Sequence, residues 1–241
     1  MSNYRVISTK KLSPSLIDEA MQQDIEMEEV EMITVQPILN QEKRNEIQHW
    51  ISINKEYAVF TSQNAVTALN SYLNEYNNNH IGNWKIFSLS GKTRKAIEQS
   101  SISGTIIATA ENGITLAEKI IERQVDEVLF FCGNKRRDEL PGMLRSRHIT
   151  VHEVTMYETV ETPIKINGGI NGIMFFSPSA VQSFFSINQL QEGTVCFAIG
   201  NTTADSIKTF TDQQIIISTS PTQESMVEAV IQYIQNIKRH E

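Results

Sequence analysis

Small hydroxyl side chains recur in this chain where apolar, strand-like runs give way to helical ones. They are Thr61, Ser62, Ser90, Thr93, Thr109, Ser177, Ser179, Thr202, Thr203 and Ser220. In a parallel α/β sheet these junctions share one edge, where free N–H groups and the helix dipole favour anions. Each hydroxyl alone is typical of a helix cap. Their recurrence favours a site for a ligand that carries several carboxylates or phosphates.

Two further features could contribute to such a site. The segment 133–138 (Gly-Asn-Lys-Arg-Arg-Asp), with the basic segment 135–137 at its centre, follows the apolar run 128–132 and opens a helical pattern. It is either a solvated helix start or an anion-binding patch. Tyr157 follows the next strand-like run. It is either a packed tyrosine near a crossing between domains or a hydroxyl that faces a cleft.

Several kinds of chemistry are disfavoured. The sequence has no G-x-G-x-x-G and no G-x-x-x-x-G-K-[ST] nucleotide motif. Its five histidines are scattered, at positions 49, 80, 148, 152 and 240, which argues against a metal site. Cys132 and Cys196 lie in apolar runs and are predicted to be core thiols. We therefore predict no metal and no cofactor, and a colourless protein that needs no additive.

Short apolar runs alternate with amphipathic stretches, which predicts parallel βαβ units. Helices are predicted over 64–75 and 222–238, and Ser-Pro pairs at 13, 177 and 220 are predicted to mark helix starts. Because the strand runs are apolar throughout, helices should cover both faces of each sheet. The predicted strands are Arg5–Ser8, Met32–Val35, Tyr57–Thr61, Lys85–Leu89, Thr105–Thr109, Glu127–Cys132, Thr150–Val154, Gly172–Phe176, Thr194–Ile199 and Gln214–Ser218.

The chain contains a faint internal duplication. Val59–Val66 resembles Met174–Val181, and Leu89–Thr93 resembles Ile199–Thr203. A third pair follows at nearly the same offset of about 110–115 residues, which indicates two similar domains. Each match lies where a strand ends and a helix begins.

Unmatched flanks indicate how the two copies are arranged. We predict two similar, flavodoxin-like, parallel-sheet α/β lobes, one inserted into the other. Residues 1–35 and 165–241 would form a discontinuous domain and residues 40–155 the inserted one. Extended linkers are predicted near 36–40 and 155–165, where Pro37 and Pro163 suit extended backbone. The alternative is two tandem domains divided near residue 165.

Composition narrows the classes of partner. The 241 residues include 28 acidic and 21 basic side chains, a formal net charge of −7. Such an acidic chain is a poor general nucleic-acid binder. No apolar run is long enough for a membrane span, and the N-terminal segment lacks a signal-peptide pattern. We therefore expect a cytoplasmic monomer that binds a small molecule rather than nucleic acid or membranes.

Three segments of the chain are distinctive when they are taken together: Val59–Val66 (VFTSQNAV), Phe175–Val181 (FFSPSAV) and Ala198–Ala204 (AIGNTTA). Through these segments, the sequence resembles the uroporphyrinogen-III synthase family over essentially its whole length. The run Leu129–Gly133 with the later Tyr157-Glu158-Thr159 matches the end of the family's inserted domain. Each segment is short, and their order and spacing make the resemblance specific.

The resemblance implies a site and a reaction. It places the family's cleft tyrosine at Tyr157, which we predict to be catalytic, and its cleft hydroxyls at Ser62, Thr93, Ser177 and Thr203. The predicted substrate-binding residues are these four hydroxyls together with Lys10 and the neighbouring hydroxyls of the pattern above, Thr61, Ser179 and Thr202. Lys10 stands where the family usually has an arginine, and Ser90 where it usually has a glycine. The implied reaction is cofactor-free: hydroxymethylbilane, a linear tetrapyrrole with eight carboxylates, loses water and closes with its last ring inverted to give uroporphyrinogen III. The alternative is a non-catalytic, two-lobed binding or sensor module.

Overall fold

The structure is a computed structural model that describes residues 4–53, 55–75 and 83–239. His80 and His240, considered above as metal ligands, lie outside these ranges. The strands are β1 (Tyr4–Ser8), β2 (Ile25–Glu29), β3 (Ile33–Pro37), β4 (Tyr57–Phe60), β5 (Trp84–Leu89), β6 (Gly104–Ala110), β7 (Glu127–Gly133), β8 (Thr150–Glu161), β9 (Gly172–Phe175), β10 (Val195–Ala198) and β11 (Ile215–Ile217). The helices are α1 (Pro14–Met21), α2 (Gln41–Ser52), α3 (Gln63–Glu75), α4 (Lys92–Glu98), α5 (Gly113–Glu122), α6 (Glu139–Ser146), α7 (Pro178–Phe185), α8 (Asn201–Lys208) and α9 (Gln223–Lys238).

The chain divides into two compact units, each with its own sheet. Met1–Thr34 and Val160–Glu241 form the first unit, and Val35–Thr159 forms the second. The first holds a five-stranded sheet in the order β11-β10-β9-β1-β2, and its strand pairs are parallel. β1 lies between β9 and the edge strand β2, and its Val6 pairs with Gly172 of β9 and with Met27 of β2. The predicted α/β class with parallel sheets is confirmed.

The second sheet has six strands in the order β3-β8-β7-β4-β5-β6. Its five strands β4 to β8 pair in parallel. The sheet is covered on both faces, because neighbouring residues of β4 enter different cores. Ala58 and Phe60 lie in one apolar cluster and Val59 lies in another. This explains why the strand runs are apolar throughout rather than alternating.

The two sheets share one spatial order but begin at different strands. Numbered along the chain, the first unit has the flavodoxin order 2-1-3-4-5, and the parallel strands of the second have the order 3-2-1-4-5. If the fourth and fifth strands of the second unit, β7 and β8, are counted first, its order also becomes 2-1-3-4-5. The duplicated segments place β9 with β4 and β10 with β5. With those equivalences, the two sheets have the same order. The first unit is therefore a circularly permuted form of the second.

Three sequence expectations about strands are corrected. A strand that we did not predict, Ile25–Glu29, pairs with β1, and it escaped notice because only Ile25 of its five residues is buried. The strand predicted at Met32–Val35 is Ile33–Pro37, and it pairs with β8 in the sheet of the second unit. β8 itself extends to Glu161, well beyond the predicted Val154.

The boundaries between the units fall within these two paired strands. They lie after Thr34 in β3 and after Thr159 in β8, so much of the predicted linker segments is regular strand. The pairing is antiparallel, because the N–H of Ile38 donates to the carbonyl of Met156 whereas the N–H of Thr162 donates to that of Met32. Pairing satisfies the backbone groups that an isolated extended linker would leave to water.

The start of α9 also differs from expectation. Ser220 was predicted to cap this helix, but the cap is Thr222, whose Oγ1 accepts from the N–H of Ser225 at 3.2 Å. The Oγ of Ser225 in turn accepts from the N–H of Ser220 at 3.1 Å. That bond holds Ser220 outside the helix.

A charged cluster at the start of β7 yields a pH prediction. Glu127 accepts a hydrogen bond from Lys55, and its Oε2 lies 2.8 Å from Nε2 of His152. The hydrogen bond from Lys55, followed by that of His152, holds the pKa of Glu127 below its ordinary value of 4.5. A lowered carboxyl pKa stabilises the fold above pH 4.5, and that contribution is lost as the pH falls through the lowered value.

We expect Glu127→Gln to lower the free energy of unfolding at pH 7 by about 0.2–1 kcal/mol, since the pair is partly exposed. The difference from wild type should shrink as the pH falls below 4.5. Denaturant unfolding across this pH range would measure it. Glu118→Gln is the matched control, because Glu118 is exposed on α5 with no ion-pair partner among the described residues. An equal loss of unfolding free energy in both variants would contradict this account, and so would a loss in Glu127→Gln that grows as the pH falls.

Candidate active site

A cleft of about 430 Å³ opens at the carboxyl ends of the strands in the Val35–Thr159 unit. Residues after β4, β6 and β7 line it together with Tyr157 of β8. Its lining is Thr61, Ser62, Leu89, Glu111, Asn112, Gly113, Phe130, Gly133, Arg136, Arg137, Glu139, Leu140 and Tyr157. This is the edge where doubly wound sheets bind ligands. The cleft therefore lies where the hydroxyl pattern predicted a site.

Two predicted site residues meet in this cleft through their hydroxyl groups. Tyr157 Oη donates to Ser62 Oγ at 3.0 Å. Ser62 Oγ also accepts from the N–H of Asn64 at 3.2 Å, in the first turn of α3. The tyrosine ring is half-buried against the apolar cluster beneath the cleft. The structure thus places the Tyr157 hydroxyl on this cleft and packs its ring against the core of the unit.

The basic segment 135–137 contributes two side chains to the cleft, Arg136 and Arg137. Arg136 donates to Glu153 at 2.7 Å and to Asp138 at 2.9 Å. Partial burial alone would raise the pKa of Glu153, but hydrogen bonds from Arg136 and Arg145 outweigh it and lower that pKa. Arg137 is exposed and has no ion-pair partner within residues 4–53, 55–75 and 83–239. Arg137 is therefore the guanidinium more available to an anionic ligand.

Three polar residues on the cleft were missed from the sequence. Glu111 and Asn112 follow β6, and Glu139 begins α6. Asn112 caps α5 by accepting from the N–H of Thr115 at 3.0 Å. An asparagine directly before an amphipathic stretch is a recognisable cap signal, so Asn112 could have been found. The two carboxylates carry no such signal, and they make the charge of the cleft mixed.

Not every predicted site residue of this unit reaches the cleft. Thr61 lines it beside Ser62. Thr93 instead lies in the first turn of α4, is only 6% exposed, and is not part of the lining. The preceding Gly91 has φ of 68°, a left-handed conformation that a side chain would oppose. In the turn between β5 and α4, the glycine with the left-handed conformation is therefore at position 91, one residue after the position at which the family usually has it.

The other predicted binding residues belong to the unit that holds the five-stranded sheet. Ser177 follows β9, and Thr202 and Thr203 open α8 after β10. Thr203 is buried, at 3% exposure, whereas Thr202 is exposed. Lys10 follows β1, and its Nζ lies 5.9 Å from the ring centroid of Phe176. These residues therefore share the carboxyl edge of their own sheet.

Ser177 is a structural cap, which leads to a stability prediction. Its Oγ accepts from the N–H of Ala180 at 3.2 Å at the start of α7. We expect Ser177→Ala to lower the free energy of unfolding by about 1 kcal/mol, the usual cost of losing such a cap. Ser179→Ala, two residues further into the same helix, is the matched control and should cost less. Thermal melting distinguishes the two, and equal melting temperatures would rule out the capping role.

Nucleophilic and metal chemistry find little support in the described residues. Both cysteines are buried and free, and burial raises the pKa of Cys132 to about 11 and that of Cys196 to about 12. Neither is therefore an available thiolate at neutral pH. Among the residues that the structure describes, no group of three or more His, Cys, Asp or Glu side chains is suited to holding a metal ion. Over the same residues, each helix is too short or too polar to cross a bilayer.

Comparison with known proteins agrees on one family. The model of the family described as uroporphyrinogen-III synthase HemD matches residues 15–228. A uroporphyrinogen-III synthase of Schizosaccharomyces pombe is 28% identical over 160 residues, which cover 61% of this chain and 62% of that relative. The aligned part thus spans about three-fifths of that relative's length.

Solved structures share the fold. The uroporphyrinogen-III synthetase of Helicobacter pylori matches with a TM-score of 0.70 at 16% identity, covering 95% of this chain and 99% of that one. A mutant uroporphyrinogen III synthase of Thermus thermophilus matches with a TM-score of 0.68 at 11% identity, covering 98% and 99%. At these identities the likeness concerns the fold alone. Because the family model matches most of the sequence, the chain belongs to the uroporphyrinogen-III synthase HemD family.

Proposed function

We propose that this chain is a uroporphyrinogen-III synthase, which converts hydroxymethylbilane into uroporphyrinogen III and water with inversion of the last pyrrole ring. The observation that carries the proposal is the hydrogen-bonded pair of Tyr157 and Ser62 on the cleft at the carboxyl edge of the second sheet. Family membership supports the same assignment. A neutral hydroxyl in a cleft that also carries guanidinium groups suits a substrate that has carboxylates and loses an oxygen.

The chemistry places modest demands on the protein. The electron pair of an electron-rich pyrrole expels the hydroxymethyl oxygen, whose carbon–oxygen bond breaks. That oxygen leaves as water once it has gained a proton, and the methylene carbon left behind forms a carbon–carbon bond to the last ring. For this ring to be inverted, its existing bond to the neighbouring methylene carbon must also break and form again at its other α-carbon, which loses a proton. Because spontaneous closure gives the other isomer, the main task is to hold the rings for the inverted closure. No strong nucleophile is needed.

In this proposal Tyr157 Oη donates to the departing oxygen and so reduces its developing charge. Because the phenol has a single proton, the Ser62 hydroxyl then turns to donate its own proton to Oη. Ser62 thereby keeps the phenol in place, since its Oγ lies 3.0 Å from Oη and accepts from the N–H of Asn64. Arg137 and the Asn112-capped start of α5 offer positive potential to substrate carboxylates. Such local donors are required because the protein's net charge of −7 repels an octacarboxylate.

The remaining predicted residues are proposed to share the binding energy. Thr61 faces the cleft, and the buried Thr93 would act through the backbone of its turn. On the other unit, we propose substrate binding by Ser177 and Thr203, as the family resemblance implies. We propose the same for the neighbouring Ser179 and Thr202, and for Lys10 in place of the family's arginine. Many weak donors, each worth about 1 kcal/mol, suit a substrate that needs positioning more than activation.

The direct test is isomer analysis. Freshly made hydroxymethylbilane is incubated with the protein, and the porphyrins are separated by chromatography after oxidation. We expect the type III isomer to predominate with the folded protein, and the other isomer with heat-denatured protein. Chelator should not change the result, because we propose no metal or cofactor. An isomer ratio that is the same with folded and with denatured protein would contradict the proposal.

We also propose that the chain acts as a monomer in the cytoplasm and without a nucleic-acid partner. The acidic composition supports the last point, since nucleic-acid binding draws on positive charge. Light scattering of the purified protein, with and without substrate, tests the monomer. A mass near twice 27.3 kDa would contradict it.

A further inference from the structure

The path of the Tyr157 side chain across the sheet raises a steric problem. Tyr157 belongs to β8, and Ser62 follows β4, but β7 lies between these two strands. Strands two places apart in a sheet are separated by about 10 Å. The ring must therefore cross the end of β7 to bring its hydroxyl to Ser62, 3.0 Å away. Any side chain at the end of β7 would stand in that path.

The residue at that point of β7 is Gly133. A Cβ built there would lie 2.6 Å from Cε2 and 2.8 Å from Oη of Tyr157, and closer still to Cζ. Gly133 does not have a positive φ. The backbone would therefore accept alanine, and only the space occupied by the tyrosine ring demands a glycine.

The neighbouring strand β8 has an irregularity in its pairing beside Gly133. Cys132 pairs with Thr155, but Gly133 pairs with Tyr157, so Met156 is an extra residue in β8. In a regular strand, Met156 and Tyr157 would point to opposite faces. Here both pack against the same apolar cluster. A bulge of this kind re-aims a side chain next to a site.

Asn134 holds the strand beyond this irregularity. Its N–H donates to the carbonyl of Tyr157 at 3.1 Å, and its Oδ1 accepts from the N–H of Thr159 at 2.9 Å. The backbone on both sides of Glu158 is thus attached to the residue that follows Gly133. These bonds keep the bulge in register with the end of β7.

We propose that Gly133, opposite the bulge at Met156, is a positioning residue that lets the Tyr157 hydroxyl reach Ser62 and the cleft. This inference rests on the proposed function for its effect on catalysis. Its geometric part, the dependence of position 133 on the Tyr157 ring, is independent of any reaction.

The kinetic test is a double-mutant cycle. We expect Gly133→Ala to lower kcat/KM for the type III isomer by about as much as Tyr157→Phe, and mainly through kcat. In the Tyr157→Phe background, Gly133→Ala should lower kcat/KM by less than about a further threefold, because the hydroxyl is already absent. Gly142→Ala is the matched control, since a Cβ at Gly142 of α6 would meet only Asp138 Oδ2, at 3.4 Å. The Gly142→Ala variant should retain wild-type activity. Wild-type activity in folded Gly133→Ala, or the same loss in both backgrounds, would overturn the inference.

A melting cycle tests the geometry without substrate. Gly133→Ala should lower the melting temperature of the wild type but not that of the Tyr157→Ala variant, in which the obstructing ring is gone. Should Gly133→Ala alone fail to fold, the combination with Tyr157→Ala should fold; failure of that combination too would overturn the inference. If the wild type does not direct isomer formation, the proposed function is wrong, and this melting cycle still decides the role of Gly133.

Discussion

Tyr157→Phe should lower kcat/KM for the type III isomer by about 30- to 150-fold, which corresponds to about 2–3 kcal/mol of transition-state stabilisation. The substitution removes only the hydroxyl that bonds to Ser62 at 3.0 Å and leaves the half-buried ring in place. If that hydroxyl protonates the departing oxygen, its loss affects kcat more than KM. Initial rates with isomer separation, at several substrate concentrations, measure both.

Ser62→Ala provides the comparison for this prediction. It removes the hydroxyl that accepts from Tyr157 but leaves the phenol on the cleft, so we expect no more than about a tenfold loss, the value of one neutral hydrogen bond. Thr93→Ala, Ser177→Ala and Thr203→Ala should fall within the same limit. Thermal melting must show each variant folded. A loss above about a thousandfold in one folded serine or threonine variant, with Tyr157→Phe at wild-type activity, would replace distributed positioning with a discrete catalytic hydroxyl.

Phe131→Ala should cost about 3–5 kcal/mol of the free energy of unfolding, the largest stability effect that we expect. Phe131 is fully buried in β7, stacks on Phe60 of β4 at 5.0 Å between ring centroids, and lies 5.5 Å from Trp84 of β5. It thus links three neighbouring strands beneath the cleft. Because Trp50 and Trp84 are the only tryptophans and both lie in the second unit, tryptophan fluorescence during denaturation reports this unit.

Phe131→Leu is the matched control. It keeps an apolar side chain in the core but loses the stacked ring, so it should cost no more than about 1.5 kcal/mol. A loss below about 1.5 kcal/mol for Phe131→Ala would mean that the neighbouring side chains close the cavity, contrary to the usual behaviour of rigid cores.

Local patterns were sufficient for most helices and for the buried strands. The apolar stripe of α9, from Met226 to Ile234, was evident from spacing alone, and its residues are buried. β2 escaped because an edge strand with three glutamates in five residues carries no apolar signal. β8 was predicted too short, since its second half is stabilised by pairing with β3 rather than by its own composition.

Some features of the candidate site could likewise be identified from the sequence, and others could not. Hydroxyls at strand ends, the basic segment 135–137 and Tyr157 were identified from residue type and position. The need for a glycine at position 133 was not identified, because nothing in the sequence reveals that a tyrosine ring from β8 crosses above it. Thr93 was included because it matches the motif, although the fold buries it.

The sequence by itself determined the alternation of strands and helices, the duplicated junctions and the residue types of the site, since these depend on neighbours along the chain. Tertiary structure decided the strand order, the antiparallel pairing of β3 with β8, and the bulge that aims Tyr157 past Gly133 to Ser62. Those features depend on contacts between residues that are far apart in the chain, such as Ser62 and Tyr157, which are 95 positions apart. Such contacts are selected by packing and by the closure of backbone hydrogen bonds in the folded chain, which periodicity along the sequence does not encode.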